Sequence, residues 1–313
     1  MRLIDAEEVA RRLDHRTGID LVRAAMIALS TGASKQLLRG IIDLDQGNAF
    51  GVMPGALAGA GFGAKIVSVF PAMAAHGHSH QGVIVTFDPT TGAPAAVIEA
   101  GEVTAIRTGC ATAAATDALA RPDATRLAIL GTGDQAWHHA AALRHVRPFA
   151  AITVWGRDAT KAHAMAERIE RDFGIATSAK ATVAAAVDGA DVICTVSAAA
   201  EPILLSDQVA DGVHVNAVGS SRAGPVEIDP ALVRRSRFIP DHRVGVLAQG
   251  AEYLRAVEMG IASEADVGPE IGRILAGLDE GRQSPAQVTV YKSLGSIVQD
   301  LACAAFLAGP AAE

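Results

Sequence analysis

Residues 126–136 read RLAILGTGDQA, and this stretch decides the fold. An apolar run of strand length ends in Gly131, Thr132 and Gly133, and the following DQAWHHAAALRHV has the composition of a helix. Glycine at 131 permits a tight turn, and glycine at 133 lets the backbone approach a pyrophosphate. Ala136 lets helix and strand pack closely while the helix N-terminus faces the phosphates. A turn that only joined two elements would not need two glycines and a small residue at these positions. The spacing predicts a dinucleotide site.

Working outward, AITVWGR (151–157) reads as a second strand, DATKAHAMAERIERDFG (158–174) as a helix, and ADVICTVSA (190–198) as a third strand, with further strands at HVNAVGS (214–220) and RFIPD (237–241). Strands and helices alternating through short connections predict a parallel sheet covered on both faces, because each crossover helix must return over the sheet. Residues 119–289 are therefore expected to form a Rossmann-type, doubly wound domain. Before it the pattern differs. AEEVARRL and DLVRAAMIALS read as two helices, the second with Leu21, Ala25, Ile27 and Ala28 near one face. LLRGIIDL, AFGVMP, GAKIVSVF and QGVIVTFD, separated by glycine, proline and histidine, read as an antiparallel or mixed sheet. A turn at DPTTGAP leads to a long small-residue helix at 103–120. The closing segment, TVYKSLGSIVQDLACAAFLAG, holds a strand, a glycine turn and an apolar helix expected to pack back on the N-terminal part. This gives a discontinuous α+β domain, residues 1–118 with 290–313, beside the parallel-sheet domain.

Composition supports an α/β protein and narrows its partners. Of 313 residues, 50% are hydrophobic and only 4% aromatic, with 31 glycines that suit close helix-on-sheet packing. The formal net charge of -7 leaves no basic surplus for nucleic acid or anionic lipid. Cys110, Cys194 and Cys303 lie far apart, which suggests neither a disulfide framework nor a zinc site. With no apolar run of signal or membrane-span length, a soluble, cytoplasmic protein is expected.

The end of the second strand distinguishes nicotinamide cofactors. An acid there accepts the adenosine ribose hydroxyls, whereas an arginine can take a 2′-phosphate. Gly156 and Arg157 stand at that point, with Lys161 nearby, so NADP(H) is favoured over NAD(H). Asp158 could bind ribose or cap the next helix. Arg39, Lys65 and Arg107 stand out differently, as cations in apolar or small-residue stretches where an unpaired charge is costly to bury. Together they would make a carboxylate clamp. Each could instead snorkel to solvent or pair with Asp43, Asp45 or Glu102. His76, His78 and His80 alternate, as ligands on a strand would, but no nearby carboxylate or cysteine completes a set, so no metal is expected. No GxSxG, HExxH or Walker lysine occurs, which leaves hydrolase and phosphoryl-transfer chemistry without an anchor.

Taken in order, GVMPG, GAKIVSVFP, TGAP, VTAIRTGCATAAATDALA, LAILGTGDQA, VWGRD, VNAVGSS and TVYKSLGSIVQDLA resemble the ornithine cyclodeaminase/mu-crystallin family over the whole chain. The resemblance implies a homodimer joined through the discontinuous domain, a nicotinamide dinucleotide on the Rossmann domain, and a substrate between the two. By position, Arg39, Lys65 and Arg107 resemble the family's substrate-carboxylate residues, Lys65 and Arg107 being the catalytic pair. Gly131, Gly133, Gln135 and Ala136 match the dinucleotide loop. Thr132 and Asp134 in the loop, Ser197, Val218 and Gly219 at the later strand ends, and Ser293 and Gly295 in YKSLG complete the implied cofactor contacts.

Cyclodeaminases proper carry a glutamate and an aspartate where this chain has Gly51 and Ser221. Without them the site lacks a base for the amino group and a counter-charge for a distal ammonium, unless Glu227 or Asp229 reaches the same space. With Ser221 as a substrate contact, the sequence is closer to the ketimine-reducing members of the family. The expected activity is NAD(P)H-dependent reduction of an imino acid, either a cyclic ketimine such as pyrroline-2-carboxylate or the imine of a keto acid and an amine. The alternatives are ornithine cyclodeamination with catalytic NAD, and dinucleotide or ligand binding without turnover.

Overall fold

The computed structural model describes residues 1–70, 72–73 and 80–309, arranged as two compact units: Met1–Arg107 with the C-terminal stretch from Ser296, and Thr108–Gly295. The first holds β1 (Arg2–Ile4), α1 (Ala6–Arg12), α2 (His15–Ser30), β2 (Lys35–Gln36), β3 (Gly40–Asp43), β4 (Ala49–Leu57), β5 (Gly61–Val69), β6 (His80–Phe87), β7 (Pro94–Glu99) and the start of α3 (Ala100–Leu119). Caps written in the sequence start the helices. The Asp5 and Asp14 carboxylates accept from the backbone N–H groups of Glu8 and Thr17, and Glu99 accepts from those of Gly101 and Glu102 at the head of α3.

The sheet runs β1-β7-β6-β5-β4-β2, with β3 also on β4, and all pairs are antiparallel except β1 with β7. β5 is central, so Lys65 sits between Met53 and Ile84 on the neighbouring strands. The last helix of the chain packs against α2, β4, β5 and β6. A Cβ on Gly55 would lie 2.5 Å from its Ile297 Cγ2, which is why the strand carries glycine there. The buried stripe of α2 is Ile19, Val22, Ala25, Met26 and Leu29, so of the Leu21, Ala25, Ile27 and Ala28 face expected from spacing only Ala25 is buried. The buried set is joined by spacings of three and four residues, whereas Ile27 stands two residues from Ala25 and falls on another face of the helix.

The second unit is a parallel sheet built from β8 (Arg126–Leu130), α4 (Asp134–Leu143), β9 (Ala151–Trp155), α5 (Ala159–Phe173), β10 (Ala176–Ala179), α6 (Val183–Val187), β11 (Val192–Thr195), β12 (His214–Ala217), α7 (Ala231–Arg235), β13 (Arg237–Pro240), α8 (Arg243–Gln249), α9 (Ala251–Glu258), α10 (Ile271–Leu275) and β14 (Thr289–Lys292); α11 (Ile297–Ala308) is the closing helix of the first unit. The order is β10-β9-β8-β11-β12-β14-β13, every pair parallel. This is the Rossmann-type arrangement expected, with a seventh strand inserted between β12 and β13. Strands β11, β12 and β14 are buried along their whole length.

The unit borders fall at 107/108 and 295/296 rather than at 118/119 and 289/290, for two reasons. The second half of α3 packs into the parallel-sheet unit: a Cβ on Gly109 would be 2.6 Å from the His138 carbonyl, and the Asn216 amide donates to Thr116 at 3.0 Å. β14 pairs on both sides within the parallel sheet. A buried polar ladder supports these strands, in which His214 meets Thr289 and Asn216, and burial pushes its pKa down to about 3. No helix among the described residues is long and apolar enough to cross a membrane.

Candidate active site

In the parallel-sheet unit, β8 ends in the GTG loop. Gly131 has φ +154, and a Cβ there would lie 2.6 Å from the carbonyl oxygen of Val196 beyond β11, so the packing of two strand ends requires glycine. Gly133 is different. It is the N-cap of α4 with an ordinary φ of -87, and a Cβ there meets no atom of the described residues within 4 Å. Nothing inside this unit demands glycine at 133, whereas a phosphate drawn close to the backbone at a helix N-terminus does. Ala136 is fully buried. Thr132 packs on Gly156, where a Cβ would be 2.4 Å from its Cγ2. Asp134 and Gln135 form the first turn of α4, and the buried Gln135 Oε1 has no hydrogen-bond partner among the described residues. These residues fit a dinucleotide pyrophosphate.

At the end of β9, Arg157 is exposed and Asp158 caps α5, its Oδ1 accepting from the N–H groups of Thr160 at 2.9 Å and Lys161 at 3.2 Å. The capping role of Asp158 is thus the one observed. Lys161 is exposed in the first turn of α5.

The ends of the later strands are organised by buried acids. Asp241, just after β13, accepts from the N–H groups of Leu294 and Gly295 at 2.8 and 2.7 Å, which shapes the Ser293–Gly295 loop, where Gly295 has φ +81. Ser293 is buried, its N–H bonded to Ala217. Val218 and Gly219 follow β12, their N–H groups both bonded to the Thr195 carbonyl. Ser221 is half-buried in the next turn. Neither acid that could have compensated for Ser221 is available. Glu227 accepts from Thr195, Ser197 and Gly219, and Asp229 accepts from the N–H groups of Ser206 and Ala231.

The first unit brings together Lys65 on β5 and Arg107 on α3, both 5% exposed. Their common partner is Asp300 of α11, which the sequence reading missed. Asp300 is fully buried, and its Oδ1 lies 3.2 Å from Lys65 Nζ and 3.2 Å from Arg107 Nε. Arg107 Nη1 also donates to Gln299 Oε1 at 2.8 Å, and Lys65 donates to Thr104. Two polar residues in the otherwise apolar IVQDLACAAFLA were the available signal, since buried polar groups need partners. Burial pushes Lys65 down to about 8, with Arg107 and Arg39 adding repulsion and Asp300 opposing them. Burial raises the Asp300 carboxyl, but Arg107 and Lys65 outweigh it and hold the group below the usual range. Arg39, half-buried just before β3, is near enough to act on Lys65 electrostatically. Two cations sharing one carboxylate leave positive charge for an anionic ligand.

His76 and His78 lie outside the described residues. Among the described residues, no three His, Cys, Asp or Glu side chains form a group able to hold a metal.

A nucleotide-type parallel sheet joined to a unit with a buried cation cluster defines an α/β protein of the dinucleotide-dependent, small-molecule class. The chain belongs to the ornithine cyclodeaminase/mu-crystallin family, whose profile matches residues 2–312. It is 31% identical over 301 residues to a Delta(1)-pyrroline-2-carboxylate reductase of Bacillus cereus, covering 94% of this chain and 92% of that one. It is 36% identical over 226 residues to the ketimine reductase mu-crystallin of Mus musculus, covering 72% and 68%. Among solved structures, Thermococcus litoralis Delta(1)-pyrroline-2-carboxylate reductase in complex with NADH and L-proline superposes with a TM-score of 0.95 at 29% identity, covering 98% of this chain and 96% of that one.

Proposed function

We propose that this protein is an NAD(P)H-dependent reductase of an imino acid, with a cyclic ketimine such as pyrroline-2-carboxylate as the preferred substrate class. The observation that carries the reading is the buried Lys65–Asp300–Arg107 cluster, in which two cations share a single carboxylate. Buried charge without a full complement of partners is costly, and a substrate carboxylate supplies the missing anion. Arg107 offers a planar fork for that carboxylate, and Arg39 adds to the field. Lys65, pushed down to about 8, holds a proton at neutral pH and releases it readily from Nζ to the imine nitrogen. Asp300 keeps both cations aimed. A bound reduced nicotinamide supplies the hydride for the imine carbon. Storage of a dinucleotide alone would need no such cluster.

The assignment of reduction over cyclodeamination rests on Gly51 and Ser221. Gly51 is on β4 opposite Val67, and a Cβ there would be 3.2 Å from Val67 Cγ1. Neither position offers an acid for a distal ammonium, and Glu227 and Asp229 are engaged elsewhere. The relatives named as pyrroline-2-carboxylate and ketimine reductases support the same direction.

For the cofactor we assign a preference for NADP(H), supported by exposed Arg157 directly after Gly156 and by Asp158 being engaged as a helix cap. We also assign a homodimer, supported by the exposed apolar side chains Leu37, Ile42 and Phe62 on the first unit; light scattering tests it. The activity test is the consumption of NADPH or NADH by purified protein given pyrroline-2-carboxylate. Turnover dependent on the imine supports the reading, and a purified protein that binds both ligands without turnover refutes it.

A further inference from the structure

We propose that Glu227 is a positioning residue for the nicotinamide half of the dinucleotide, its buried carboxylate fastening the loop after β11 to the loop after β12. The inference rests on the reading above that a dinucleotide binds at the GTG loop. A Rossmann sheet consists of two mononucleotide-binding halves that meet at the reversal of strand order, here between β8 and β11. Arg157 follows β9 in one half, the half assigned to the adenosine. The other half, β11 to β13, is left for the nicotinamide, and its first two loops contain Ser197 and Gly219.

Glu227 is fully buried. Its Oε1 accepts from Ser197 N at 2.6 Å and Ser197 Oγ at 2.7 Å, and its Oε2 accepts from Gly219 N at 2.6 Å and Thr195 Oγ1 at 2.9 Å. Both loops are therefore tied to one carboxylate. They also touch, since a Cβ on Gly219 would lie 2.1 Å from the Ser197 carbonyl oxygen. The adjoining Val196 carbonyl abuts Gly131, so the tied loops continue directly into the phosphate loop. A second layer holds the first. Lys292 of β14 pairs with Glu252 at 2.7 Å and donates to the Ser220 carbonyl at 2.6 Å, and the Glu227 N–H points to Glu252 Oε1 at 3.4 Å. Each Glu227 oxygen faces two donors, and burial raises this carboxyl while Ser197, Lys292 and Thr195 oppose the rise. Fixed loops at the carboxyl end of a parallel sheet place ligand groups with the precision that hydride transfer needs.

The test is Glu227→Gln, whose amide nitrogen accepts no hydrogen bond and turns two N–H groups toward existing donors. Calorimetry would compare NADPH with 2′-phospho-ADP-ribose and NADH with ADP-ribose, the second of each pair lacking the nicotinamide. The expected result is a loss of roughly tenfold or more in affinity for the intact dinucleotides, with fragment affinity unchanged. Ser197→Ala removes only the hydroxyl bond, should show the same split on a smaller scale, and decides the matter if Glu227→Gln fails to fold. Equal weakening of dinucleotide and fragment, or no weakening in either variant, would overturn the proposal. Wild-type protein that binds neither fragment nor dinucleotide would instead remove the dinucleotide reading, and this inference with it.

Discussion

Each unit of the chain contains a buried ionic cluster, and the two have opposite balances. In the first unit Lys65 and Arg107 share Asp300, so cations outnumber anions. In the second, Glu227 and Glu252 accompany Lys292, so carboxyl groups outnumber the cation, and burial raises the Glu227 carboxyl. The excess in the second cluster is met internally by backbone N–H and hydroxyl donors from two loops. The excess in the first has neutral company, Gln299 and Thr104, and a neighbour of the same sign, Arg39. Four backbone and hydroxyl donors meet the Glu227 carboxylate of the second cluster, whereas the first keeps more positive than negative charge, which suits an anionic ligand.

The largest effect that would sharpen this contrast lies beside the second cluster. Gly133→Val should abolish dinucleotide binding while leaving thermal stability close to wild type, because no atom of the described residues lies within 4 Å of the added Cβ. Gly131→Val should lower stability as well, since its Cβ meets the Val196 carbonyl at 2.6 Å with φ +154. Calorimetry and a melting curve on both variants read the difference.

In the first cluster, Lys65→Met should lower kcat/KM for the imine by about 10²–10⁴-fold, the range for a lost general acid, with dinucleotide affinity unchanged. A parallel fall in dinucleotide affinity would break the division of labour. Arg107→Leu should raise KM for the imino acid by about tenfold to a hundredfold, corresponding to one lost charge-assisted contact, again without a change in dinucleotide affinity.

The pH profile has a definite sign. Lys65 is protonated below its pKa of about 8, so with Lys65 as the proposed proton donor kcat/KM should be flat below that point and fall above it. The limiting slope should be about tenfold per pH unit, and Lys65→Arg should lose the general-acid contribution as Lys65→Met does, its residual rate lacking that limb because guanidinium keeps its proton. The smallest effect concerns Arg157, whose replacement by alanine should weaken NADPH by about 1–3 kcal/mol relative to NADH. Equal losses for the two cofactors would refute the 2′-phosphate contact.

What could be read in the sequence was local or compositional. The GTG loop, its strand and its helix are contiguous, so the Rossmann unit could be recognised without knowing any distant contact. Lys65 and Arg107 stood out as cations in apolar runs. Their partner did not, because Asp300 is 235 residues from Lys65 and 193 from Arg107, and periodicity carries no information at that range. Glu227 was visible only as an acid near Ser221, and its four hydrogen bonds depend on how two strand ends meet. The insertion of β14 between β12 and β13 was equally hidden, since strand order is set by packing after the strands exist. Short elements such as β1 and β10, with three and four residues, gave too little pattern to read.

The central claim is that the cation cluster serves an imino-acid carboxylate and that no distal ammonium is recognised, because Gly51 and Ser221 stand where acids would be needed. One preparation of purified protein should be assayed both for imine-dependent oxidation of NADPH or NADH with pyrroline-2-carboxylate and for ammonia release from ornithine with catalytic NAD. The account predicts rapid imine reduction and far slower ammonia release. Ammonia release from ornithine at a rate matching or exceeding imine reduction would contradict it.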